Sequence, residues 1–301
     1  MFEQPQRSNV TQLTMLLLCF LVVPGVTAAQ DDALFWKIQS NTATVYLFGS
    51  IHIGSPELYP LPEPVEQAFA ASDHLVLEID LTKVDQSELV LMTQRIGLLA
   101  DGTTLQTLLP ADGHAAAAEE LRRLGLDIAL LQRMKPWLFA MTLMQLGMAS
   151  HGYSPEQGVD QHFAQQAGAR QVIGLETVAE QLHLFDSMTD EQQLSLLKDY
   201  LHDLAETKES IARLIAAYRQ HNAVWLRDYL FAPLHEDPAY ASLYAVLIDR
   251  RNASMAQKLD ALLHGEGSYF VVVGAAHLFG EQGIAALLRK KGYRTAPQFQ
   301  E

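Results

Sequence analysis

The chain has one cysteine, Cys19, and it lies in the apolar run of the amino-terminal segment. Internal disulfides and thiol catalysis therefore play no part in the rest of the chain. Positive charge is also scarce, with 21 Lys and Arg against 35 Asp and Glu and a net charge of −14. Such a surface argues against nucleic acid or anionic lipid as a partner, since both require a basic face. Beyond the amino-terminal segment no apolar run suits a bilayer. The most apolar stretch, Trp137 to Met148, is too short and is interrupted by Gln145 and Gly147. Four catalytic signatures are missing as well: His-Glu-x-x-His, the Gly-x-Ser-x-Gly elbow, the Walker loop and the Rossmann glycine pattern.

What remains is a chain able to build a large core. Hydrophobic residues make up 49% of its 301 residues and charged residues 19%, which excludes intrinsic disorder. There is no low-complexity tract, no solenoid period and no linker long enough to separate domains. The first residues read as an export signal. Arg7 supplies the positive end, Leu13 to Val23 the apolar run, and Val26-Thr27-Ala28 the small residues before cleavage. Leu18 is bulky where a lipoprotein signal wants a small residue, so lipidation of Cys19 is not expected. This predicts a signal peptide over residues 1–28, a single mature domain over 29–301 without a membrane span, and a periplasmic or secreted location.

Two stretches organise the mature chain. Val45-Tyr46-Leu47-Phe48-Gly49-Ser50-Ile51-His52 and Tyr269-Phe270-Val271-Val272-Val273-Gly274-Ala275-Ala276-His277 each read as a buried strand that breaks at glycine, with a histidine three residues later. Two further strands, ending at Glu78-Ile79-Asp80 and at Glu176, carry a glutamate near their carboxyl ends. Leu34 to Ile38 and Ala43 to Phe48 flank a polar turn and predict a hairpin. Between these segments, apolar residues recur at three- and four-residue spacing over 86–99, 113–124, 136–150, 190–218 and 239–263, predicting helices, and a last helix is read over 280–291 after His277. The fold class is α/β: a central mixed sheet from two pseudo-duplicated βα halves, with a large helical insertion.

In such folds chemistry gathers outside the carboxyl ends of the strands. His52, His277 and Glu78 would place two imidazoles and a carboxylate there, a donor set for divalent Zn, Mn, Co or Fe with positions open for water. Glu176 would be a further ligand or a general base, and Arg251 an oxyanion or carboxylate binder. Singly, each has a plainer reading: a loop histidine satisfied by hydrogen bonds, a strand-end glutamate capping a helix, an arginine on a solvated face. Asp160, at the start of a helix after Gly158-Val159, is read as a partner of the helix dipole. His114, His221 and His235 lie in polar surroundings and are read as solvated, and the methionines of 136–150 as core filler.

The stretches Leu47 to Gly54, Leu75 to Asp80, Gly158-Val159-Asp160, Gly174-Leu175-Glu176-Thr177, Arg251-Asn252 and Gly274-Ala275-Ala276-His277 occur in order across the mature chain. Together they resemble the TraB/GumN family. That family is similar to the Tiki proteins, membrane-tethered metalloproteases that trim the amino-terminal region of Wnt, and more distantly to erythromycin esterases and haem-binding lipoproteins. The resemblance implies that His52, Glu78 and His277 are functional and that Mn or Co is the favoured metal; through the Arg251-Asn252 stretch it extends to Arg251. No carboxy-terminal anchor is read in this sequence, so tethering and a Wnt-like substrate do not transfer. The expected function is an exported metal-dependent hydrolase acting on a peptide or protein. The alternative is a metal- or haem-binding protein without catalysis.

Overall fold

The computed structural model describes residues 32–202, 207–236 and 240–299; the expected signal peptide lies outside them. Six strands form one sheet: β1 (Phe35–Gln39), β2 (Ala43–Ser50), β3 (His74–Ile79), β4 (Gln171–Glu176), β5 (Gly267–Gly274) and β6 (Arg294–Pro297), in the order β4-β3-β5-β2-β1-β6. The hairpin forms as expected, with β1 antiparallel to β2 and Ser40 Oγ accepting from the Ala43 N–H at 2.9 Å in its turn. β6 adds antiparallel to β1. The other four strands run parallel, so the segments carrying Gly49, Glu78, Glu176 and Gly274 end on one edge. The sheet is mixed and the fold is α/β.

The topology brings the two strand-Gly-x-x-His segments side by side. β2 and β3 are joined by α1 (Glu63–Ala70), yet they do not pair with each other, because β5 lies between them. Gly49 is opposite Val273 and Ser50 opposite Gly274.

Parallel strands are covered on both faces, which explains their continuous apolar sequences. Alternate residues divide between two cores. Phe48, Leu75, Leu77 and Phe270 face α1 (Val65, Phe69) and the helix α6 (Val159–Gln165) through Phe163. Val45, Leu47, Val271 and Val273 face α12 (Arg250–Leu263) through Met255 and Leu259, and α13 (Ile284–Lys290) through Leu288.

The insertion between β3 and β4 holds α2 (Gln86–Gly97), the short α3 (Leu105–Leu108), α4 (Ala111–Arg123) and α5 (Pro136–Ser150) before α6. Between β4 and β5 lie α7 (Val178–Asp186), α8 (Asp190–His202), α9 (Thr207–Arg219), α10 (Ala223–Glu236) and α11 (Tyr240–Tyr244) before α12. A third core, Leu105, Leu121, Phe139, Leu143 and Leu197, joins α3, α4 and α5 to α8.

Three sequence expectations change in detail. The helix read over 190–218 is two helices, α8 and α9. The helix read over 239–263 contains a π-helical turn, Ala245–Asp249, between α11 and α12. The helix after His277 starts only at Ile284, because Gly280 takes a left-handed φ of +73° and Gly283 packs against the Leu278 carbonyl, where a Cβ would lie at 2.5 Å. Among the described residues no helix is long and apolar enough to cross a membrane.

Candidate active site

The site stands at the carboxyl edge of the parallel strands, and two glycines make room for it. A Cβ at Gly49 would meet Leu278 Cδ1 at 2.7 Å and Ala275 Cα at 3.1 Å, so this residue admits the loop after β5. A Cβ at Gly274 would lie 2.9 Å from His52 Nε2 and 3.3 Å from Glu78 Oε1. Each motif's glycine therefore provides the space that the other motif occupies.

His52 is held from outside the sheet. Residues 51–54 are stitched to 154–159 by Gly54 N–H to the Ser154 carbonyl at 3.0 Å, the reverse bond at 3.0 Å, and Val159 N–H to the Ile51 carbonyl at 3.1 Å. Gly158 lies so close that a Cβ there would be 2.5 Å from the His52 carbonyl oxygen. This docking puts buried Asp160 beside the ring. Its Oδ2 accepts from His52 Nδ1 at 2.9 Å, and its Oδ1 from the Ser50 hydroxyl at 2.9 Å.

His277 is buried in the turn after β5, with Nδ1 2.6 Å from Asn252 Oδ1. The Asn252 amide nitrogen donates to the Gln282 carbonyl at 2.8 Å. That leaves Oδ1 as the acceptor facing the ring, so His277 carries its proton on Nδ1.

Both imidazoles thus turn Nε2 inward, towards one carboxylate oxygen. Glu78 Oε1 lies 3.6 Å from His277 Nε2 and 3.9 Å from His52 Nε2, and accepts from the Gly274 N–H at 2.6 Å. Glu78 Oε2 accepts from Arg251 Nη2 at 2.6 Å and from Gln181 Nε2 at 3.2 Å. Arg251 also binds Glu176, through Nε to Oε1 at 2.9 Å and Nη2 to Oε2 at 2.6 Å, and Gln181 reaches Glu176 Oε2 at 2.9 Å. The structure therefore brings His52, Glu78, His277, Glu176 and Arg251 into one constellation. Arg250, beside Arg251, is exposed.

The charges differ between the two rings. Asp160 pulls the His52 pKa strongly upward, to about 10, against the opposing effect of desolvation. The ring is 60% exposed, so solvent screens part of this pull. Burial pushes His277 down to about 4, with the Glu78 carboxylate only partly opposing it. Burial would raise Glu78, but His52, His277, Arg251 and the Gly274 N–H outweigh it and hold the carboxyl at about 2.

Beside these groups opens a cleft of about 450 Å³ whose lining includes His52, Glu78, Asp160 and Arg251. Once His52 gives up its proton, two neutral nitrogens and a carboxylate oxygen would present lone pairs to one another, a donor set that suits a cation between them. The donors fit a divalent ion in kind, and each ring's second nitrogen is fixed by a partner, as it is in metal-binding imidazoles. As they stand, no group of three or more His, Cys, Asp or Glu among the described residues is drawn up as a metal-holding cluster.

A model of the TraB/PrgY/gumN family matches residues 34–297. The chain belongs to that family. Among proteins similar to it, an uncharacterized protein of Treponema pallidum is 24% identical over 87% of this chain and 82% of its own length. The uncharacterized protein YbaP of Escherichia coli is 26% identical over 81% of this chain and 87% of its own. Metalloprotease TIKI2 of Xenopus tropicalis is 25% identical over 89% of this chain and 61% of its own length. No solved structure matches the chain.

Sequence reasoning missed Asp160, Asn252 and Gln181 as members of this constellation. Asp160 lies 108 residues from His52 in the chain, and its position after Gly158-Val159 suggested only a helix start. The two glycines at 54 and 158, which permit the close approach, were the available signal. His221, read as solvated, has a φ of +56° and stacks on Phe299 at 4.4 Å, and burial lowers its pKa. His114 meets Gln132 at 2.8 Å, and the His235 side chain lies outside the described residues.

Proposed function

We propose that this protein is an exported metal-dependent hydrolase that cuts peptides. The observation that carries the reading is the convergence of His52 Nε2 and His277 Nε2 on Glu78 Oε1, with both Nδ1 atoms held by partners. Kinship with relatives named metalloproteases supports it. His52, His277 and Glu78 would hold the ion. When bound there, a divalent cation lowers the pKa of a water and polarises a carbonyl, the chemistry of hydrolysis without a covalent intermediate.

The chain's own residues supply the rest. His277 stays neutral well below pH 7 and so is ready as a ligand. His52 must release a proton before it can bind. Arg251 and Gln181 fix the angle of Glu78 and present positive charge and an amide to the cleft. Glu176 holds Arg251 in that position and is the remaining carboxylate for proton transfer. Mn and Co lead the list of metals by resemblance; Zn and Fe are compatible with the donors.

The test is metal analysis and peptide-library cleavage on the purified mature protein, with each metal added in turn. His52→Ala and His277→Ala are expected to lose metal and activity together. Glu176→Gln is expected to keep most of the metal while turnover falls about a hundredfold or more, the size of a lost general acid–base group. Full cleavage by the double histidine variant after chelation would refute the mechanism. Metal or haem uptake without cleavage of any peptide or ester would make the protein a capture protein. Export is tested by sequencing the amino terminus of the mature protein, expected near Ala29 or Gln30; an intact Met1 in the cytosol would exclude it.

A further inference from the structure

Helix α5 is apolar on nearly every side, yet only part of that surface enters a core. Phe139, Ala140 and Leu143 are buried against Leu105, Leu121 and Leu197. Met141, expected from sequence to be core filler, is 39% exposed and lines the cleft that holds His52, Glu78 and Arg251. Leu81, Leu184 and Phe185 line it with Met141. An apolar wall turned to solvent beside a charged centre is unfavourable unless an apolar group covers it, and such surfaces mark binding sites.

The wall is also braced. The Phe185 ring stacks on buried Trp137 with centroids 5.8 Å apart and planes at 15°. Lys135 Nζ binds Asp186 Oδ1 at 2.5 Å, tying the start of α5 to the end of α7. Two helices that carry the wall are thereby fixed relative to each other, as a pre-formed pocket requires. The volume of about 450 Å³ falls in the range of small-ligand pockets. Gln161 lines the same cleft, and its side-chain amide is a donor and an acceptor together. That pairing suits a peptide bond and has no use for a bare hydrocarbon chain.

We propose that Met141, Leu81, Leu184 and Phe185 form the pocket for a large aliphatic or aromatic side chain of the peptide substrate, adjacent to the bond that is cut. This rests on the hydrolase reading above. The pocket selects the residue, and the charged side of the cleft acts on its neighbouring carbonyl. Met141 is a specificity residue in this scheme and takes no part in catalysis.

The experiment uses the metal-loaded mature protein and matched peptides with Phe, Leu, Ala or Asp on either side of the scissile bond. The wild type is expected to favour Phe or Leu over Ala and Asp by about tenfold or more in kcat/KM. Met141→Gln changes an exposed side chain, so folding is retained; the preference is expected to fall towards parity through a higher KM. Met141→Trp fills the pocket and is expected to shift the preference to smaller residues. Equal cleavage of all peptides by the wild type, or an unchanged preference in both variants, would overturn the pocket. Binding of the same peptides, labelled and without added metal, separates the two readings. Apolar-dependent binding lost in Met141→Gln, with no cleavage under any metal, would sustain the pocket and sink the hydrolase. Chain-length-dependent cleavage of acyl esters with every peptide left intact would overturn the peptide assignment.

Discussion

Asp160 and Asn252 hold the same atom of two histidines, Nδ1, with opposite electrostatic consequences. Asp160 is charged and raises the His52 pKa; Asn252 is neutral, and burial lowers that of His277. At pH 7 His52 is therefore protonated before a metal binds and His277 is not. Metal uptake is expected to release close to one proton near neutral pH and to strengthen as pH rises. Asp160→Asn should bring the His52 pKa back towards its ordinary value of 6.5 and reduce the proton release. Calorimetry in buffers of different ionisation enthalpy, with an NMR titration of the His52 ring, measures both; an unmoved ring pKa would rule out the role given to Asp160. Gly274→Ala is a second probe, adding a methyl 2.9 Å from His52 Nε2 without altering charge. Loss of metal and cleavage is expected, at an overpacking cost of about 1–3 kcal/mol. Metal content and a thermal melt on the same sample check it.

At the scale of elements, Arg251 joins α12 to both β3 and β4 through Glu78 and Glu176. Its side chain is 15% exposed, and those of its partners are similarly buried. Arg251→Ala would leave two buried carboxylates without their cation, and breaking a buried pair in this way typically costs about 3–5 kcal/mol. Urea unfolding should show that loss, with Arg251→Lys recovering part of it. The π-helical turn at 245–249 immediately precedes α12, and Arg251 Nη1 donates to the Leu247 carbonyl within it at 3.2 Å. Irregular turns of this kind recur at functional sites. Here the sequence periodicity showed a helix but could not register a single extra residue in the turn before Arg251.

For the whole molecule, the three titrating groups bound the pH range of greatest stability. His277 has a depressed pKa, about 4 against 6.5, so the unfolded chain binds more protons and stability falls as pH drops across that interval. Glu78, at about 2 against 4.5, contributes stability above its unfolded value that is lost as pH falls towards 2. His52 has a raised pKa, so its contribution is complete below 6.5 and is lost as pH rises towards 10. Urea midpoints of the metal-free protein should therefore peak near pH 6–7. His52→Ala should remove the alkaline decline, and Glu78→Gln should flatten the decline below pH 4.5. A midpoint constant from pH 4 to 10 would contradict both histidine assignments, and one constant from pH 4.5 down to 2 would contradict that of Glu78.

The α/β class, the hairpin, the strands at 74–79 and 171–176 and the placing of His52, Glu78, Glu176 and His277 at the ends of strands were legible in the sequence, because strand and glycine chemistry act locally. A run such as Tyr269 to Val273 must be buried, and a glycine after it must turn or admit a neighbour, whatever lies elsewhere in the chain. Strand order was not legible, since it depends on which apolar faces meet; only the folded sheet inserts β5 between β2 and β3 and sets the two motifs side by side. Asp160 joined the site by the same means, arriving on α6 from 108 residues beyond His52, while Asn252 and Gln181 neighbour Arg251 and Glu176 in sequence and are turned onto His277 and Glu78 only by the fold. Met141 belongs with them. Periodicity can say that α5 is apolar all round, but only the packing of α5 against α8 decides which side becomes core and which is left facing the cleft.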